Sequence, residues 1–192
     1  AAAFQFWCPG VYADYHRRLS TLFQRRPDLE RIFPRSIFPT AAFNFGPRVC
    51  TYKHRDVLNC PYGWCGIHPL GYFDHTRGGH VLLWEAGLMI ECPANWWMGI
   101  PSGSITHSNS PVGAHETRVS FTQFCPGGLL RYVDNGFRTE SEFQEQEPAA
   151  YQAMMAQKET RWREGLALLS RYQDILSILG RSGNEASRSS SA

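Results

Sequence analysis

Between Ala41 and Phe124 no apolar pattern lasts long. Strand-like runs at Ala41–Phe45, Arg48–His54, Trp64–Ile67, Leu70–Tyr72, His80–Glu85, Leu88–Glu91, Trp96–Ile100 and Glu116–Phe124 are cut by Gly46-Pro47, by the loop composition of Phe73–Gly79 and by Ser108–Ala114. Pro101-Ser102-Gly103 turns the chain into a further run, Ser104–His107. Short strands with a turn signal roughly every eight to twelve residues build a sandwich or a barrel. The expectation is a mainly β core with flanking helices, an α+β arrangement.

The flanks change period. Over Val11–Arg26, Tyr15, Leu19, Leu22 and Phe23 recur at helical spacing, with Arg17, Arg18, Arg25 and Arg26 largely off that stripe and Pro27 as the stop. Asp28–Phe33 adds a short turn before Pro34. Thr139-x-x-Glu142 has the form of a capping box. Glu159–Leu179 predicts a long helix with a stripe of Trp162, Leu166, Leu169 and Leu176, closed by Gly180. The Ser-rich stretch Arg181–Ala192 is expected to be disordered. The organisation expected is a helical segment over 1–40, a β core over 41–138, helices over 139–180 and a tail over 181–192. There is no internal repeat.

A chain of 192 residues is one domain with a sizeable core. No apolar run reaches the roughly 18 residues of a membrane helix, and AAAFQFWCPG lacks the basic flank of a secretory signal. Its abrupt apolar start predicts a piece of a longer protein. Six scattered cysteines without a C-x-x-C pair predict free thiols in an intracellular, reducing compartment. Cys60, Cys65 and His68 could form part of a zinc site, but no fourth ligand is close, and thiols along a buried strand are the simpler reading. The net charge is +2 and uneven, with nine Lys/Arg against four Asp/Glu in residues 1–60. A basic N-terminal third is compatible with an anionic partner such as nucleic acid, but such a charge run is more often merely a solvated face.

The chemistry concentrates in Tyr52-Lys53-His54-Arg55-Asp56. On an extended strand positions i and i+2 share a face, so His54 and Asp56 converge. A second imidazole, for which His107 is the best candidate, completes two histidines and one carboxylate. That set leaves the opposite side of a metal open and suits non-haem Fe(II). Arg118 follows His107 by eleven residues, with Ser120 and Glu116 on the same strand face. An arginine there either binds a carboxylate ligand in bidentate fashion or pairs with Glu116.

H-x-D, a distal His and an R-x-S soon after it resemble the Fe(II)/2-oxoglutarate dioxygenases. A narrower resemblance runs through SIFPTAAFNFGP, the HRD block, RGGHVLLWE, IPSGSITHSNSPV and ETRVSFTQFCPGGLLRYVDNGFRTESEF. These stretches are similar to the TET/JBP-related dioxygenases of fungi. The resemblance implies a double-stranded β-helix (jelly roll) with iron on His54, Asp56 and His107, and the distal carboxylate of 2-oxoglutarate on Arg118 and Ser120. His68 and His80 are rival ligands without an R-x-S at the family spacing. It also implies oxidation by O2 of a methylated base in nucleic acid, DNA favoured, with 5-methylcytosine first and N6-methyladenine second, by a monomer in the nucleus. Hydroxylation of a protein side chain, or an inactive barrel that only binds nucleic acid or protein, are the alternatives. The Cys-rich zinc extension of animal TET enzymes has no counterpart here.

Three further positions carry two readings each. Tyr52 shares the face of His54 and either contacts the cosubstrate or packs in the core. Asn44, on a neighbouring strand if Gly46-Pro47 makes a hairpin, either contacts cosubstrate or bonds at a strand edge. Asn59 stands where animal TET enzymes have a cytosine-contacting Asn, so the resemblance makes it substrate-binding. The other reading is a loop Asn bonded to its own backbone. The residue before it is Leu58, where that family has a His.

Overall fold

The structure is a computed structural model and describes residues 2–179. The tail over 181–192 and the helix stop at Gly180 lie outside the described residues. Among them no helix is long and apolar enough to cross a membrane.

Seven strands form two antiparallel sheets. They are β1 (Thr40–Asn44), β2 (Cys65–Tyr72), β3 (Val81–Leu83), β4 (Leu88–Ile90), β5 (Met98–Ile100), β6 (His107–Asn109) and β7 (Thr117–Phe124). One sheet has the order β1-β7-β2-β5 and the other β4-β3-β6. Cys65, Ile67, Val81, Leu83, Cys92 and Ile100, drawn from both sheets, share one buried cluster. Strand β7 shows why the sheet needs two faces. Arg118 and Ser120 are buried while Thr117 is exposed and Val119 half-exposed, an alternation of period two. Pro69 sits inside β2 without cost, because β5 pairs with β2 only over Cys65–Ile67 and the Pro69 carbonyl instead accepts Asn95 N–H at 2.8 Å.

The helices form a second core. Helix α1 (Ala2–Trp7) supplies Phe4, and α2 (Pro9–Arg25) supplies Val11, Tyr15, Leu19 and Leu22, its i, i+4 stripe. They pack with Ile37, Phe38, Cys60, Cys125 and Leu130. Further helices are α3 (Gly127–Asp134), α4 (Glu140–Gln146), α5 (Pro148–Ala156) and α6 (Lys158–Ala167). The Thr139 hydroxyl accepts Glu142 N–H and the Glu142 carboxylate accepts Thr139 N–H at 2.7 Å, the capping box read from the sequence.

Three expectations are corrected. Arg48–His54 is not a regular strand, and Gly46-Pro47 makes no hairpin with it. Its first part bonds to β7, with Arg118 N–H to Pro47 O and Val49 N–H to the Arg118 carbonyl, both at 2.7 Å. Its last part bonds to β6 across His54 and His107. The segment passes from one sheet to the other, so it cannot run a continuous ladder with either. The run placed at Ser104–His107 pairs three residues later, as β6. Glu159–Leu179 is not one helix but α6 and a stretch over 172–179. The break at 168–171 lets Leu168 and Leu169 reach the helical core, where packing overrides periodicity. Gly10 permits that approach, since a Cβ there would stand 2.5 Å from the Leu168 carbonyl oxygen.

Gly66 and Gly99 face each other across β2 and β5, and the rings of Trp64 and Trp97 occupy the lane their missing side chains leave. A Cβ on Gly99 would meet Trp64 at 2.5 Å and Trp97 at 2.6 Å. Gly99→Ala is therefore expected to destabilise the fold by about 1–3 kcal/mol, read as a lowered midpoint in urea. An unchanged midpoint would mean the two rings move aside freely.

Candidate metal centre

The bridge between His54 and His107 is closed by two hydrogen bonds, His54 N–H to His107 O at 3.0 Å and His107 N–H to His54 O at 2.9 Å. Residues directly opposite in an antiparallel pair project to the same face. The two imidazoles accordingly lie 4.3 Å apart, centroid to centroid. Asn109 fixes the same segment from its other end. Its side-chain oxygen accepts Thr51 N–H at 2.8 Å and the Thr51 hydroxyl at 2.7 Å, standing in for missing ladder bonds. Asp56 N–H bonds to Ser102 O at 3.0 Å, which turns its carboxylate toward His54.

The ligand atoms of His54, Asp56 and His107 lie within 4.8 Å of one another, with His54 Nε2 3.5 Å from Asp56 Oδ1. Among the described residues this is the one cluster of its kind. Bonds of about 2.0–2.2 Å to a metal put adjacent donors about 3 Å apart, so a slight closure seats an ion. The tautomers suit this. Each Nδ1 faces a backbone carbonyl two residues back, Tyr52 O at 2.7 Å and Ile105 O at 3.1 Å. Each proton then sits on Nδ1 and each Nε2 lone pair is free for a metal. Burial pushes the His107 imidazole below its ordinary pKa, and His54 adds to this against the opposing Ile105 carbonyl. The neutral, ligating form is thereby favoured.

The cluster opens on a cavity of about 260 Å³ between the sheets. The same cavity is lined by Asn44, Arg118 and Ser120. Arg118 is 2% exposed. One guanidinium nitrogen donates to Val49 O at 3.1 Å, and Nε has no partner. Burial lowers its pKa. The sequence reading that paired it with Glu116 is overturned, because the Glu116 carboxylate instead accepts Asp74 N–H at 2.7 Å and Gly113 N–H at 2.6 Å. Among the described residues no carboxylate pairs with Arg118. An unpaired buried cation costs several kcal/mol, which an anion in the cavity would offset. Asn44 pairs in register with Ser120 and its amide donates to the Ser120 hydroxyl at 3.0 Å. That hydroxyl, with one of its two lone pairs engaged, still has its own proton to give.

Of the other residues singled out, Asn59 and Cys65 also line this cavity. Tyr52 joins the centre through its carbonyl, while its side chain is 91% exposed and does not line the cavity. The Asn59 amide donates to Asp56 Oδ2 at 3.2 Å and to Ser102 Oγ at 3.1 Å, with its oxygen unpartnered among the described residues. His68 packs on Phe121, and His80 Nδ1 meets Ser110 Oγ at 3.0 Å. Cys60 lies in the helical core and Cys65 between the sheets, so no zinc site forms. Sequence reasoning missed Asn109 and Ser102. The i+2 spacing of Asn109 from His107 was the available signal for the first, and a serine between Pro101 and Gly103 gave none for the second.

No protein-family model matches the chain, and no curated protein matches it. Solved structures similar to it include NgTET1 in complex with 5mC DNA, at TM-score 0.44 and 15% identity, covering 64% of this chain and 51% of that one. The chain thus spans about half the length of that protein. Another is the viral collagen prolyl hydroxylase vCPH from Paramecium Bursaria Chlorella virus-1 in its 2-oxoglutarate complex, at TM-score 0.29 and 14% identity, covering 56% of this chain and 68% of that one. A truncated form of the same enzyme aligns with 56% of this chain and 64% of its own.

Proposed function

We propose that this chain is an Fe(II)/2-oxoglutarate-dependent dioxygenase of double-stranded β-helix fold that oxidises a methylated base in nucleic acid, with 5-methylcytosine in DNA the first substrate and N6-methyladenine the second. One observation carries the reading: the His54, Asp56 and His107 cluster and the unpaired, buried Arg118 line the same cavity. A metal with an open side and a cation at one cavity suit a chelating ligand that ends in a carboxylate. The strand order supports the fold. With the extended 51–54 segment beside β6, the layers are β1-β7-β2-β5 and β4-β3-β6 plus that segment, four against four, the count a jelly roll needs.

Each residue then has a task. His54, Asp56 and His107 hold the metal, which when bound supplies the redox chemistry with O2. Arg118 and Ser120 hold the distal carboxylate of 2-oxoglutarate, and Asn44 orients the Ser120 hydroxyl. Around the ligands the surface is apolar and basic. Tyr52, Val57 and Leu58 are 91%, 75% and 80% exposed, and Lys53 lies 4.2 Å from the Trp84 ring centre. Exposed apolar side chains beside cations suit bases and phosphates.

The test is to incubate the protein with Fe(II), 2-oxoglutarate and methylated DNA and to analyse the nucleosides by mass spectrometry. Oxidised 5-methylcytosine is the expected product. Succinate without any oxidised nucleoside would overturn the substrate and leave the dioxygenase, and neither product would overturn both. Ser120→Ala is expected to raise the 2-oxoglutarate concentration for half-maximal turnover about fivefold, the worth of one neutral hydrogen bond of about 1 kcal/mol. No change would remove Ser120 from the cosubstrate site.

A further inference from the structure

Asn59 follows the second ligand by three residues, and its backbone and side chain are both turned back on that ligand. Its N–H donates to the Asp56 carbonyl at 2.8 Å, and its amide nitrogen reaches Asp56 Oδ2 at 3.2 Å. The same nitrogen reaches Ser102 Oγ at 3.1 Å, and Ser102 O receives Asp56 N–H at 3.0 Å. Ser102 is 1% exposed, so this acceptor is fixed by packing. Asn59 itself is anchored by a bridge to Pro126, ahead of α3. The two carboxylate oxygens of Asp56 are therefore unequal. Oδ2 accepts the Asn59 amide, while Oδ1 faces His54 Nε2 at 3.5 Å.

We infer that Asn59, braced by Ser102, is a positioning residue that holds the rotation of the Asp56 carboxylate and so presents Oδ1 to the metal. This rests on the metal site proposed above. A carboxylate free to rotate must be ordered when the metal binds, and that ordering costs affinity. An amide donor to the far oxygen holds the carboxylate's rotation and leaves the near one for the ion. Partners of this kind, one bond behind the ligands, typically matter about 10- to 100-fold in metal affinity.

The inference is tested by metal binding alone. Nickel(II) binds such donor sets more tightly than Fe(II), so weakened variants stay measurable by calorimetry. Asn59→Ala is expected to weaken nickel binding by about 10- to 100-fold. In an Asp56→Ala background the same substitution is expected to cost nothing further, because the group it positions is gone. Unchanged affinity in Asn59→Ala would overturn the inference. So would an equal loss with and without Asp56, which would mean that Asn59 merely shapes the loop. If Asn59→Ala does not fold, Ser102→Ala gives the same reading. It is expected to cause a smaller loss, present only while Asp56 is present, and no loss, or one independent of Asp56, would overturn the inference. His107→Ala separates the two levels: if it keeps full nickel affinity, the metal site itself falls, and if it loses affinity while Asn59→Ala does not, only the role of Asn59 falls.

Discussion

Alanine at His54, Asp56 or His107 is expected to reduce conversion of 2-oxoglutarate to succinate to background. Each substitution removes one of three donors, and the remaining two hold Fe(II) too weakly to sustain turnover, although the tighter-binding nickel is still retained. The three should fail alike despite unequal surroundings. His107 is 7% exposed inside β6, so its loss also opens a small void. The His54 and Asp56 side chains are 41% and 30% exposed, so their loss should leave folding nearly untouched. Far-ultraviolet circular dichroism on the same samples separates a dead site from an unfolded chain. Full turnover in His107→Ala would move the third ligand elsewhere and break the proposed centre.

The second large effect is at Arg118. A lost charge-assisted contact to a carboxylate costs on the order of 2–5 kcal/mol. Arg118→Met is expected to raise the 2-oxoglutarate requirement at least about 30-fold, the low end of that range. Metal binding should stay largely intact. Stability should move the other way. The guanidinium is buried with Nε unpartnered, so methionine removes a desolvated charge and refills much of the volume. The ligand-free variant is expected to melt no lower than the original chain, and by the same physics higher. An unchanged 2-oxoglutarate requirement would mean that the cavity serves another ligand.

The fold was legible wherever the local pattern and the tertiary partner agree. Strand β7 alternates, α2 carries a clear apolar stripe, and Thr139 with Glu142 caps α4, so each could be read from its own residues. The 48–54 segment could not. Its residues favour an extended chain, but which sheet they join is decided by Arg118 on one side and His107 on the other. The same holds for the break at 168–171, which answers to a core far away in sequence. At the centre, residue type and spacing marked the metal donors and Arg118. They could not show that the side chain of Tyr52 faces solvent, or that the Asn59 amide is bonded to Asp56. Those facts depend on where a non-strand backbone turns each side chain.

The crossing of residues 48–54 also bears on how the chain leaves the ribosome. Thr51 waits for Asn109, 58 residues later, Val49 for Arg118, 69 later, and Asn44 for Ser120, 76 later. Helix α2 can begin to form as soon as it emerges, because its backbone hydrogen bonds are local, although its packing on Cys125 and Leu130 must wait as well. The metal and cosubstrate residues cannot meet until β7 has cleared the exit tunnel. A nascent chain halted before Thr117 carries His54, Asp56 and His107 but has no β7 to set them against. The site is thus completed only by a strand made long after its first two ligands.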